Sequence, residues 1–338
     1  MNSKNLFIII VVAIVSLLIG SAILSSEKGT KNFEQQKLIT DFDLSLIDKI
    51  EIQTYDKSLK AEKILGQWQL PEKQGYPLAL TKLVELTQAL NEAEIVELKT
   101  KLKKNFHRLG LENIDEQGSE SKKLTLYSAD NKISLIIGNA AKSGNGQYVR
   151  FENGQQSYLI DQSFDLSMEM AAWLKQDMFN YGFDALRQLT IRPENASSFV
   201  IARKPLPQNS ENPSETLNLP TGEVEYEIDF SLIEPSPAQV MDKTLKYSSI
   251  FSGLVRNVLN IKVQDVELFN EISLKGKVKE QEIEVSPIAG GNIILSFYKT
   301  NSDTPNYWLH QKGGTWLINI SEFDYKQVNK AFAEYFDG

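Results

Sequence analysis

Two histidines, His107 and His310, carry the only imidazoles of this 338-residue chain. Neither has a carboxylate or a second histidine at a metal-ligand spacing, and no His-Glu-x-x-His pattern occurs. A zinc site or a histidine general base would therefore have to be assembled by the fold from distant residues. The chain holds no cysteine, which removes disulfides, thiolate metal ligands and a cysteine nucleophile together. Ser119-Glu-Ser-Lys122 has the Ser-x-x-Lys spacing of acyl-transferring enzymes, but that chemistry needs the serine at a buried helix start, and this stretch is charged and contains glycine. Gly138-Asn-Ala-Ala-Lys-Ser-Gly-Asn-Gly146 has the glycines of a phosphate loop without Gly-Lys-Ser/Thr opening a helix; Tyr148-Val149 beyond it reads as a strand. Glu282 and Glu284 share one strand face, the pattern of a solvated edge more than of a glycosidase pair.

What remains is recognition by aromatic side chains. Trp68 and Trp316, with Trp173 and Trp308 behind them, form a candidate ligand shelf. Tyr325, Phe332, Tyr335 and Phe336 form a candidate protein interface on a C-terminal helix. Packing within the chain's own core is the alternative for both sets. No catalytic, cofactor-binding or metal-binding residue is assigned, and no cofactor is implied.

The elements that must position these residues read as α+β. Ile50 and Ile52 alternate with charged residues in a strand over 47–54, and a second strand puts Trp68 and Leu70 on one face. Pro77 opens a helix whose Leu83, Leu86, Leu90 and Ala93 step by three and four. Two hairpins follow, 124–137 turning at Asp130-Asn131 and 148–160 turning at Asn153-Gly154. A helix over 164–179 closes the first half. Strands over 186–192 and 198–203 open the second, then Pro205–Gly222, with four prolines, reads as a mobile loop. A strand over 223–230 follows, and Ser236-Pro237 starts a helix through Val240, Leu245, Phe251, Leu254 and Val258. Strands over 266–269, 277–285 and 293–298, a hairpin over 307–320 and a helix over 325–336 complete the chain. Gly66-x-Trp68-x-Leu70 echoes Gly314-x-Trp316-x-Ile318, and Tyr148–Gly154 with Tyr158-Leu-Ile echoes Tyr307–Gly313 with Trp316-Leu-Ile. Two modules of antiparallel hairpins with packed helices result, 44–184 and 185–338, related to each other or alike by chance.

Leu6–Leu24, LFIIIVVAIVSLLIGSAIL, is free of charge over nineteen residues. As a helix it would reach roughly 28 Å, near the ~30 Å core of a bilayer and longer than the apolar part of a signal peptide. Residues 1–26 thus read as an uncleaved transmembrane anchor and 27–43 as a tether. Cleavage near Gly20-Ser21-Ala22 is the alternative. Lys4 before the run and Glu27 after it place the N-terminus in the cytoplasm and the rest in the periplasm of a bacterial inner membrane protein. The net charge of −8, with no clustered basic face, argues against nucleic acid.

The order of an apolar anchor, Ile50-x-Ile52, Gly66-x-Trp68-x-Leu70, Tyr76-Pro77 into a helix, Leu109-Gly110-Leu111, Ile137-Gly138 and Tyr148-Val149-Arg150 resembles the DUF4340 family, chiefly over residues 45–180. Members look like companions of ABC-type transport systems of the gliding-motility kind, so the resemblance implies an accessory role and supplies no catalytic residue. Two readings follow. One is a non-enzymatic, membrane-anchored periplasmic protein docking onto transporter subunits or another envelope complex. The other is an envelope hydrolase or carbohydrate- or ligand-binding protein with a cleft between the two modules.

Overall fold

The computed structural model describes residues 36–129, 131–142, 144, 146–205 and 226–337. The anchor, the first part of the tether and nearly all of the Pro205–Gly222 loop lie outside the described residues. No helix among the described residues is long and apolar enough to cross a membrane. The architecture is mostly antiparallel β-sheet, in two sheets. Three α-helices accompany them among the described residues: α1 at Leu80–Glu92, α2 at Ile250–Leu259 and α3 at Glu322–Val328. The chain divides into two compact units that interleave in sequence: Gln53–Asp56 and Leu86–Asp165 with the described residues up to Leu46, and Ile47–Ile52, Lys57–Glu85 and Leu166 onward.

In the first unit the strands lie in the order Gln36–Lys37, Glu94–Leu98, Ser157–Ile160, Gln147–Phe151, Asn131–Ala140 and Lys122–Ser128. Leu124 and Leu126 pair with Leu135 and Ile133 across one hairpin, and Leu124, Leu126, Leu135, Ile137, Val149 and Ile160 are buried. Ile136 packs with Phe106 and Leu111. The continuous apolar run Leu135–Ile137, buried at every position, is thus a strand covered on both faces. Gly138 makes that cover possible. A Cβ there would fall 2.2 Å from the Leu109 carbonyl oxygen and 2.8 Å from that of Gly110. The bare backbone lets Leu109-Gly110-Leu111 approach, and Asn139 N–H donates to Leu109 O at 2.9 Å.

The second unit holds the strands Lys49–Gln53, Ser58–Ile64, Gln67–Leu70 and Tyr76–Pro77, in that order. It also holds a sheet ordered Tyr226–Glu234, Phe199–Pro205, Leu186–Pro193, Lys277–Pro287, Ile293–Thr300, Tyr307–Gln311, Trp316–Ile320 and Val263–Leu268. Its core includes Leu189, Ile191, Ile201, Phe230, Ile283, Val285, Phe297 and Leu309, with Phe251, Leu254, Val255 and Val258 of α2.

Three expected helices differ, and each for the same reason: the backbone finds partners outside its own segment. Residues 164–179 form only a 3-10 turn at Met170–Ala172. Ala79 N–H donates to Trp173 O, Lys175 N–H donates to Pro77 O, and Leu174 bridges Leu78. Ser236 opens a single 3-10 turn, Pro237–Val240, and helix resumes only at Ile250. Between them Lys246 N–H donates to Tyr335 O, while Asp337 N–H donates to Thr244 O. That pairing also breaks the C-terminal helix. The α3 helix, capped by Ser321 Oγ on Asp324 N–H, stops at Val328, and Phe332–Tyr335 is a separate 3-10 turn.

The two units repeat one strand plan. Glu94–Leu98, Ser157–Ile160, Gln147–Phe151, Asn131–Ala140 and Lys122–Ser128 are neighbours in the same order as Val263–Leu268, Trp316–Ile320, Tyr307–Gln311, Ile293–Thr300 and Lys277–Pro287. The registers agree as well. Gly154 N–H closes its turn on Phe151 O and Gly314 N–H on Gln311 O; Glu152 N–H reaches Ser134 O and Lys312 N–H reaches Ile294 O. A bulge skips Val96 opposite Leu159/Ile160 and Gln264 opposite Asn319/Ile320. Bulges are local and specific, so a shared one marks the match residue by residue. It shifts the hairpin echo by one position, pairing Tyr148 with Trp308 and Arg150 with His310. The Gly-x-Trp echo fails, because Trp68 lies in Gln67–Leu70 while Trp316 corresponds to Gln156, just before the strand Ser157–Ile160.

Candidate functional site

The residues suited to chemistry are mostly committed to holding the backbone. His310 is buried, stacks on Phe269 with ring centroids 3.4 Å apart, and places Nδ1 3.0 Å from Trp316 O. His107 is exposed on the 3-10 helix Lys103–Arg108. Ser119 Oγ lies 2.8 Å from Ser121 Oγ, which donates to Glu112 O. Glu282 and Glu284 are gripped by Arg192 at 3.6 and 2.5 Å. The Arg192 hydrogen bond, helped by Asn292, holds the Glu284 carboxyl below the usual carboxylate range, so it is ionised at neutral pH. No group of three or more His, Asp or Glu that could hold a metal occurs among the described residues.

Two buried arginines have roles that the sequence does not announce, Arg150 being legible only as part of the Tyr148-Val149-Arg150 motif and Arg203 not at all. Arg150 donates through Nε to Leu111 O at 2.9 Å and through its terminal nitrogens to Glu152 O and Asn113 Oδ1, with Phe106 beneath it. Arg203 donates to Leu186 O at 2.8 Å, Glu227 O at 2.9 Å, Ile228 O and Phe183 O at 3.0 Å, packed against Phe183 and Phe230. Burial pushes both guanidinium pKa values down. A guanidinium has five donors in a rigid fork, and carbonyl oxygens absorb them here. A lone arginine between flanking strand residues gives no sequence sign of this.

Trp68 and Trp316, the candidate shelf, are both half-buried. Trp68 O accepts from Leu78 N–H at 3.0 Å, and Trp316 meets Tyr76 edge-on, ring centroids 5.2 Å apart. Tyr76 in turn donates its hydroxyl to Lys175 O at 2.9 Å, and burial pushes its pKa up to about 12. Trp173 is fully buried, donating its indole N–H to Ser167 O.

The C-terminal aromatics also divide. Tyr325 is buried against Tyr307, Tyr335 is buried between Phe199 and Phe251, and Phe336 is buried beside Phe332. Only Phe332 is half-exposed, its ring 5.1 Å from those of both Phe199 and Phe336. It lines a groove of about 740 Å³ with Phe199 and Ile233, rimmed by Ser197, Ser198, Glu234 and Gln239. Three separated segments build it. The strand Phe199–Pro205 supplies the floor, the end of the edge strand Tyr226–Glu234 supplies Ile233, which is 37% exposed, and the turn after α3 supplies Phe332. The turn beyond is fixed by Ser236 N–H donating to Gln239 Oε1 at 2.7 Å. An aromatic floor is thus bordered by serine hydroxyls, the Glu234 carboxylate and the Gln239 amide.

The fold defines a mostly antiparallel β protein of two sheets, with the groove at Phe332 as its candidate site. The chain belongs to the family described as Domain of unknown function (DUF4340), whose family model matches residues 68–280. The match runs well past residue 180, so the family extends into the second half of the chain. No curated protein and no solved structure is matched.

Proposed function

We propose that the protein is a non-enzymatic accessory module of the bacterial envelope. Its run Leu6–Leu24 is held in the inner membrane, and the rest lies on the periplasmic side, docked onto an ABC-type transporter or another envelope complex. The observation that carries this reading is the groove at Phe332, where an aromatic floor and the exposed Ile233 border solvent. The nineteen-residue uncharged run supports anchoring, since it is long enough to span a bilayer core and longer than the apolar part of a signal peptide. Tethering confines the module to the membrane surface and raises its effective concentration toward other membrane proteins, so a groove of modest affinity is enough.

The test is recovery of partners in mild detergent with the tagged full-length protein, beside a version lacking residues 1–26 exported by a cleavable signal. Transporter subunits recovered in stoichiometric yield with the anchored form alone would support the proposal. Recovery of no stoichiometric partner with either form would remove its basis.

A further inference from the structure

The hairpin joining Ser58–Ile64 to Gln67–Leu70 turns through Leu65 and Gly66, both left-handed, with φ of +50° and +80°. Two-residue turns of this kind favour Asn-Gly, Asp-Gly or Gly-Gly, because a leucine Cβ is strained there. Leu65 is also 100% exposed, and Ile64 beside it is 43% exposed. Strain and an apolar side chain in water both work against folding, and Leu65 has no covering contact among the described residues. The hairpin after Gln147–Phe151 turns instead at Asn153-Gly154, with polar residues around it. One pair behind the tip, Lys63 faces Trp68, with Lys63 exposed and Trp68 half-buried. Apolar residues at the tip with a lysine and a tryptophan a few ångströms behind are the set that settles at a lipid headgroup boundary.

We propose that Ile64 and Leu65 dip into the periplasmic face of the bilayer, with Trp68 and Lys63 at headgroup level. The inference rests on the anchoring reading. Between Leu24 and the first described strand at Gln36 there are eleven residues, at most about 40 Å of chain, so the module never leaves the neighbourhood of the membrane. A shallow contact that would be weak in free solution is then continuously available.

The chain has no cysteine, so single labels are clean. The full-length protein carrying Leu65→Cys or Lys312→Cys is labelled with an environment-sensitive fluorophore. Each is then reconstituted into nanodiscs of phosphatidylethanolamine and phosphatidylglycerol. The label at position 65 should shift to the blue and be quenched about twofold or more by phospholipids carrying a spin label near the headgroup, the depth of an interfacial side chain; the label at 312 should do neither. A protein that co-elutes with the discs while position 65 is no more quenched than 312 overturns this inference alone. A blue shift without lipid quenching means contact with protein and overturns it too. A protein that does not co-elute with the discs overturns the anchoring reading and this inference with it.

Discussion

Replacing Arg203 by methionine keeps most of the side-chain volume and removes every donor. Four carbonyl oxygens, those of Leu186, Phe183, Glu227 and Ile228, then lose their partner. Glu227 and Ile228 belong to an edge strand, where water can replace the guanidinium; Leu186 and Phe183 sit behind a side chain that is 2% exposed. Charge-assisted hydrogen bonds contribute ~1.5–3 kcal/mol each, and removing a buried cation returns part of its desolvation cost. The net expectation is a loss of about 3–5 kcal/mol. Arg203→Lys, with three donors and no fork, should lose about 2–3 kcal/mol. Asp184, 3.9 Å away with a side chain 77% exposed, contributes little, so Asp184→Asn should change stability by less than about 0.5 kcal/mol. Denaturant titration of the full-length protein in mild detergent, followed by tryptophan fluorescence, measures all three. Arg203→Met within about 1 kcal/mol of wild type, or Asp184→Asn costing more than Arg203→Lys, would refute the assignment of Arg203 to carbonyl capping.

Gly138→Ala should destabilise by about 3 kcal/mol or more, because backbone oxygens stand in the way of its Cβ, whereas Gly118→Ala, with open space at φ +83°, should cost only about 1 kcal/mol; thermal melts separate the two. Gln176 donates to Val263 O and accepts from Val263 N–H on an edge strand, so Gln176→Ala should cost about 2 kcal/mol and raise the hydrogen-exchange rate of that amide. Tyr76 has a folded pKa of about 12 against an ordinary value near 10, so the folded state holds its proton more tightly; its contribution is complete below pH ~10 and about 2–3 kcal/mol is lost as pH rises through 12. Tyr76→Phe should therefore flatten the alkaline fall in stability in pH-dependent denaturant melts. Leu65→Asn should stabilise the fold by about 0.5–1 kcal/mol by relieving the left-handed turn, read as a raised midpoint of denaturation.

The sheet was largely legible in the residues. Alternation in Leu124–Leu126 and Ile133–Ile137 and the Asn153-Gly154 turn specify hairpins whose partners are adjacent in sequence, so local signals suffice. Apolar stripes at helical spacing misled where the backbone had distant partners: Trp173 and Leu174 against Pro77–Ala79, and Thr244–Lys246 against Tyr335–Asp337. Tyr325, Phe332, Tyr335 and Phe336 are legible as an aromatic set, yet the set does not say which ring borders water. Phe332 emerges only once Phe199 and Ile233 arrive from other strands. His310 likewise owes its burial to Phe269, a residue that periodicity does not single out.

The most direct test of the docking account places a photo-crosslinking amino acid at Ile233, on the exposed wall of the groove, and at Lys312, on a distant hairpin turn, in cells carrying the full-length protein. The account predicts one prominent crosslinked envelope-complex subunit from position 233 that is absent from 312 and lost when Phe332→Asp is added. Identical crosslinking from both positions, or a product from 233 that Phe332→Asp leaves unchanged, would contradict it.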